Sequence, residues 1–338
     1  MTVHVGIAGL GIFVPEKIEV AADLVDATGI PENILRDKMG INQRHIAQTE
    51  DTISYMASEA AKRAIEDAGI DPAEINVVIS HGSEHKDHVV WNAAGKIQHN
   101  VGAVNAYGFE VYALCAGAPI ALNVARGLMM GDPSVKYVLL AAASRENDLV
   151  NLGNERTRFM FNFGAGASAM LLKRDAAKNL VLGASALTDG ALSETVVLTD
   201  EAIADGEPRV VGDVRGRLDV TDPQLMSNRL GESSLPNFIR VMREALDKSG
   251  HTLDDVDFLG ITHMKRSFYI QILNEIGLTE DQSVYLENYG HIQSVDQGLA
   301  IHLGVKQGKI KDGDLLLLVG AGVGYTWSAA VVQWGKAP

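Results

Sequence analysis

From residue 60 to 81 the chain reads AAKRAIEDAGIDPAEINVVISH: apolar positions at helical spacing, a stop at Gly69, a short acidic turn, then an apolar run of strand length. Residues 241–263, VMREALDKSGHTLDDVDFLGITH, repeat that order, with Gly250 in the place of Gly69. A second pair is LCAGAPIALNVARGLMMGDPSVKYVLLAAAS from Leu114 and YGHIQSVDQGLAIHLGVKQGKIKDGDLLLLVGA from Tyr289. Each member predicts a small-residue helix, a glycine stop and a strand, and the alignment sets Cys115 opposite His291. A third pair, GAGASAMLL from Gly164 and GVGYTWSAAVV from Gly322, predicts a glycine turn before a closing strand in each half.

Three matched pairs predict a duplicated chain, with halves at 1–175 and 176–338. Alternating strands and helices without a polar linker imply two α/β units sharing central helices, a five-layered α/β/α/β/α arrangement. Residues 116–130 are small or apolar nearly all the way round, with Arg126 among the few exceptions, so this helix is expected in the interior. A length of 338 residues with 46% hydrophobic content and 34 glycines supports a large close-packed core.

The formal net charge of −14 argues against a sequence-independent grip on nucleic acid or anionic lipid, which needs a basic surface. The opening MTVHVGIAGLGIFVP lacks a basic leader and a cleavage site, and LLLLVGAGVG is of strand length, so neither a signal peptide nor a membrane span is expected. The opening GLGIFVP also lacks the full G-x-G-x-x-G of a dinucleotide site. One cysteine excludes an internal disulfide and any multi-cysteine metal site, and fits a cytoplasmic enzyme. It leaves Cys115 as either a small buried hydrophobe or a nucleophile.

Position favours the second reading. Cys115 opens the small-residue helix and is followed by Ala116, Gly117, Ala118 and Pro119, where the positive helix end favours a thiolate and small neighbours admit a thioester. His291 falls at the matched position, and His263 ends the strand VDFLGITH, the end at which α/β proteins gather catalytic groups. The loop HGSEHKDH at 81–88 has His85 and His88 at a metal-like separation, but no metal is expected there.

Five segments carry a resemblance that runs over nearly the whole chain: GIAGLGIFVPEKIEV, MGINQRHIA at 39–47, ALCAGAPIAL, FNFGAGASAM at 161–170 and GVGYTWSAA at 322–330. In order and spacing they resemble ketoacyl synthase III, of the thiolase superfamily. The resemblance implies the thiolase-like fold, a homodimer with the 81–95 region near the partner's pocket, and Trp91 lining the acyl tunnel. Cys115 matches the acyl-accepting cysteine, and His263 in THMKRSF matches the first histidine of the family's strand-end motif. Where the family has asparagine in a Gly-Asn-Thr-Ser-Ala run, this chain has Gly290-His291-Ile292-Gln293-Ser294, giving Cys-His-His. The backbone N–H groups of Cys115 and Val323 are implied as the oxyanion hole.

Other positions depart from the family. The tryptophan and arginine that bind the coenzyme A adenine match Ile34 and Lys38, leaving Lys38 as the candidate there. The usual asparagine after the histidine is Arg266 and the carrier-docking arginine matches Phe268, so Lys265 and Arg266 are candidates for a phosphate, as are Arg156 and Arg158 for a phosphate or acidic acyl chain. Glu84 lies one residue from the catalytic glutamate of the related hydroxymethylglutaryl-CoA synthases.

The expected reaction joins an acyl primer on Cys115 to a malonyl thioester, with loss of carbon dioxide between His263 and His291. The expected substrates are acyl-CoA with malonyl-CoA or malonyl-acyl-carrier protein, and no cofactor takes part. Two alternatives stand beside it: a non-decarboxylating acyltransferase to oxygen or nitrogen, and a non-catalytic partner subunit of another ketosynthase.

Overall fold

The computed structural model describes residues 3–82, 84–199 and 217–336; Ser83 of the histidine-rich loop lies outside them. The first half runs β1 (Val5–Phe13), β2 (Ile18–Val20), α1 (Val25–Thr28), α2 (Glu32–Asp37), β3 (Gln43–His45), α3 (Ile53–Ala68), β4 (Val77–His81), α4 (Ala93–Val101), β5 (Tyr107–Val111), α5 (Gly117–Gly131), β6 (Tyr137–Ser144) and β7 (Gly166–Arg174). The second runs β8 (Lys178–Thr188), β9 (Val196–Thr199), β10 (Arg217–Val220), α6 (Pro223–Asp247), β11 (Phe258–Ile261), α7 (Arg266–Glu275), α8 (Asp296–Lys306), β12 (Leu315–Gly322) and β13 (Thr326–Lys336). The boundary expected at residue 175 lies in the turn between β7 and β8.

The duplication is visible in the pairing. In the first half β4 runs parallel to β6, and β6 then β7 then β1 pair antiparallel. In the second, β11 runs parallel to β12, and β12, β13 and β8 pair antiparallel in the same sequence. The edge strand β5 beside β4 is answered by a single parallel bridge from Leu259 of β11 to Ser283. Gly69 caps α3 directly, whereas Gly250 lies three residues beyond the end of α6; both take positive φ.

The strands alternate between two buried faces, which fixes the layers. Along β6, Val138, Leu140 and Ala142 face a central core while Leu139, Ala141 and Ala143 face α3 and α4. Along β12, Leu316 and Leu318 face that same centre while Leu315, Leu317 and Val319 face α6 and α7. The centre is filled by α5 and α8, through Ala118, Ala121, Leu122 and Ala125 on one and Leu299, Ala300 and Ile301 on the other. The result is five layers, as the duplication predicts. Each fully buried Leu or Val along these strands contributes about 2 kcal/mol.

One detail differs from the sequence reading. The two sheets are hydrogen-bonded into one of nine strands among the described residues, through the lone pair Gly6–Leu180 between β1 and β8. Leu114–Gly131 is long and apolar enough to cross a membrane by composition. It is instead the central helix with its lead-in turn, and its small side chains are what let two sheets approach it.

A fourth cluster caps the ends of the central helices. Leu24, Leu35 and Ile41 pack with Phe161, Phe163, Val196 and Val220, and Val323 leans on this group.

Candidate active site

The turn carrying the thiol is held in an uncommon conformation. Leu114 takes φ 48° and opens a 3-10 turn, Leu114–Ala116, that leads into α5. Ser328 Oγ donates to Ala116 O at 2.9 Å, tying the turn to β13. The end of β12 lies so close that only glycine fits: a Cβ on Gly320 would sit 2.6 Å from Cys115 O, and one on Gly322 would sit 2.8 Å from Ala113 O. Cys115 is left 4% exposed.

Three of the sequence motifs converge on His291. Its main-chain N–H donates to Asn162 O at 2.7 Å, and Gly164 N–H donates to His291 O at 2.9 Å. Arg44, buried and paired with Glu19 at 2.8 Å, donates through Nη1 to Phe161 O and Phe163 O. That holds the Phe163 ring edge-on to the imidazole, centroids 5.0 Å apart. Fixed from both sides, His291 presents Nε2 to Cys115 Sγ at 3.0 Å.

Its other nitrogen, Nδ1, meets Asp296 Oδ2 at 2.6 Å. Asp296 is the first residue of α8 and wholly buried, and its carboxylate also accepts from His263 N at 2.7 Å and Ile292 N at 2.8 Å. A carboxylate at a helix N-terminus with three donors is satisfied as an anion. Burial opposes a charge on His291, but Asp296 first, and Cys115 after it, hold its pKa well above the usual histidine value. The imidazole therefore keeps a proton on each nitrogen and directs one at sulfur.

His263 reaches this array by its backbone rather than its ring. Ring Nε2 donates to Gly40 O at 2.9 Å, the ring lies 4.7 Å from that of Tyr285, and Nδ1 is buried without a partner among the described residues. Burial, against the raising influence of Asp296 and the Gly40 carbonyl, brings its pKa to about 4 and keeps it neutral. Of the three expected groups, Cys115 and His291 touch, while the His263 ring is held on Gly40 O.

The register of the internal repeat also needs correction. Gln293, at φ 52°, opens a 3-10 turn into α8 just as Leu114 does into α5. The residue that the fold sets opposite Cys115 is therefore Ser294, and His291 lies three positions earlier.

Asp296 was absent from the sequence reading. Its signal was an acid heading a small-residue helix, five residues after His291. Tyr112 and Tyr325 were missed too. Burial raises the pKa of both phenols, and the hydrogen bond to Glu84 raises that of Tyr112 further.

The remaining candidates are dispersed. Arg156 forms a two-pronged pair with Asp219, 2.9 and 2.5 Å, that ties its turn to β10. Arg158 pairs with Glu155. Arg266 lies over the Tyr285 ring and pairs with Glu280 at 2.5 Å and Glu287 at 3.7 Å. These arginines are engaged by acids rather than held open for a phosphate. Lys265 and Lys38 are exposed. Phe268 packs edge-on to Phe238 in the outer layer, 5.9 Å between centroids, because α7 turns that face to α6. Trp91 lies edge-on to His88, and His85 Nε2 is 3.9 Å from Asp148. The Asp87 carboxylate accepts from Ile53 N and Ser54 N, anchoring the 81–92 loop to the start of α3.

A cysteine beside a protonated, carboxylate-backed imidazole can exchange acyl groups, since sulfur attacks while the ring supplies a proton to the departing group. Comparison with known proteins agrees in kind. The family description 3-oxoacyl-[acyl-carrier-protein (ACP)] synthase III matches residues 109–190, and its C-terminal counterpart matches 246–334. Beta-ketoacyl-[acyl-carrier-protein] synthase III 1 of Bacillus anthracis is 31% identical, with 98% of this chain and all of the relative covered. The priming beta-ketosynthase of the R1128 polyketide pathway superposes with a TM-score of 0.84 at 25% identity, covering 99% of this chain and 97% of its own. The synthase III of Aquifex aeolicus shares the fold, with a TM-score of 0.83 at 24% identity over 98% of this chain and 100% of its own. With end-to-end likeness and the cysteine at the head of the central helix, the chain belongs to the 3-oxoacyl-[acyl-carrier-protein] synthase III family.

Proposed function

We propose that the chain is a condensing enzyme that carries an acyl primer on Cys115 and joins it to a malonyl thioester, releasing carbon dioxide and a β-ketoacyl thioester. The carrying observation is the 3.0 Å contact of Cys115 Sγ with an imidazole that Asp296 keeps protonated. In the first step sulfur bonds to the primer carbonyl, and the carrier thiolate leaves with the proton held at His291 Nε2. The Cys115 and Val323 N–H groups are assigned to the carbonyl oxygen.

In the second step the malonyl carboxylate departs as carbon dioxide and its bonding electrons form an enolate. C2 then attacks the acyl carbon and Sγ leaves. His291, reprotonated between steps, donates to the enolate oxygen. His263 supports this step through its N–H on Asp296, and its ring joins only by releasing Gly40 O. The acyl groups arrive as coenzyme A or carrier-protein thioesters, without a cofactor, in the cytoplasm. A second copy of the chain is assigned to β5, one of the two outermost strands of the sheet, whose first residue Tyr107 is exposed, as is Val104 just before it.

One observation favours a second reading, acyl transfer without decarboxylation. The carboxylate–imidazole pair is the arrangement of a general base, and it suits drawing a proton from an acceptor hydroxyl or amine. Labelled malonyl thioester separates the two: condensation releases one carbon dioxide per acyl group transferred, and the second reading releases none.

A further inference from the structure

Beneath the reactive turn lies a buried pair that the chemistry above does not use. Ser294 is the position related to Cys115 by the internal repeat, and it touches His81, the last residue of β4. Its hydroxyl donates to His81 O at 3.0 Å and lies 3.1 Å from His81 Nδ1. Because the one hydroxyl proton is spent on the carbonyl, Nδ1 must be the donor in the second bond. That tautomer leaves Nε2 as a buried acceptor with no partner among the described residues. Burial lowers the pKa of His81 to about 4, so the ring stays neutral beside the reactive pair.

The packing explains why the pair matters. A Cβ on Gly82, whose φ is 85°, would overlap Ser294 Oγ, and a Cβ on Gly117 would lie 3.2 Å from Ser294 Cβ. Ser294 is thus wedged between the end of β4 and the first residue of α5. Gly117 is two residues from Cys115, and Ser294 is three from His291. Any shift of Ser294 is passed by packing to the sulfur and by the chain to the imidazole.

We infer that Ser294 and His81 are positioning residues that set the separation of Cys115 Sγ from His291 Nε2. The inference rests on reading Cys115 and His291 as the reactive pair, and it holds for either acceptor. Neither residue touches sulfur, and their effect runs through the two helix starts.

The test is the rate at which iodoacetamide alkylates Cys115, followed by intact mass from pH 5 to 9, in the wild type, Ser294→Ala, His81→Leu, His81→Asn and His291→Ala. Ser294→Ala and His81→Leu are expected to slow alkylation about tenfold at pH 6 and to move its half-maximum to higher pH, as misplacement of a reacting pair does. His81→Asn, whose amide N–H replaces Nδ1–H, is expected to restore the wild-type profile. A wild-type profile in both Ser294→Ala and His81→Leu would overturn the inference, and so would His81→Asn as slow as His81→Leu. If His291→Ala alkylates as the wild type does, the reactive-pair reading itself fails and takes the inference with it.

Discussion

His291 is charged because Asp296 and Cys115 together overcome its burial, the largest single influence on it. Replacing Asp296 by Asn keeps the shape and removes the larger of the two raising influences, which shifts the balance toward burial and the neutral ring. Acylation of Cys115 in the Asp296→Asn variant is expected to fall about 10²- to 10⁴-fold with little change in substrate KM, measured by rapid-quench mass spectrometry. Unchanged acylation would mean that the carboxylate only packs. Cys115 could be read from the sequence because a lone cysteine heading a small-residue helix is a local pattern. Asp296 could not, since its role is made by His263 N, Ile292 N and His291 Nδ1, which meet only in the fold. Nor could the ion pairs of the arginines be read there, since Asp219 and Glu280 reach Arg156 and Arg266 only in the fold.

At the scale of elements, the turn before α5 depends on the glycines of β12 and on the loop after β4. Gly320→Ala puts a methyl against Cys115 O, and is expected to cost about 2 kcal/mol in urea unfolding as overpacking does, and to slow acylation. Asp87→Ala removes two hydrogen bonds from the start of α3 and is expected to cost about 1 kcal/mol by the same measurement. The helix–glycine–turn–strand repeats were legible because periodicity and Gly69 and Gly250 mark them in both halves. The pairing of Cys115 with Ser294 was not, since LCAGA and QSVDQ look unalike. The backbone at Leu114 and Gln293 carries the equivalence, and φ leaves no trace in residue type here.

At the scale of the whole molecule, the five layers followed from the duplication alone. The single bridge that joins both sheets at Gly6 and Leu180 depends on how two twisted strands happen to meet. Two neutral buried histidines lie between these layers and give the fold a pH dependence. His81 and His263 both have pKa values lowered from 6.5 to about 4, so between those values the unfolded chain takes up protons that the native one refuses. The stability these two rings contribute is therefore complete above pH 6.5 and is lost as pH falls toward 4, by up to about 3 kcal/mol for each ring. Thermal melting from pH 7 to 4.5 is expected to show this fall, and His81→Asn to flatten it by about half. Equal slopes in the two proteins would contradict the burial argument.

In the proposed reaction Cys115 holds an acyl group which a malonyl thioester then removes. Intact-protein mass spectrometry tests it directly, with acyl-CoA and acyl-carrier-protein primers offered first, labelled malonyl thioester second, and Cys115→Ala run alongside. An acyl adduct is expected on the wild type alone, discharged by malonyl thioester with one labelled carbon dioxide per adduct. No adduct with any primer, or an adduct that persists in Cys115→Ala, would contradict it.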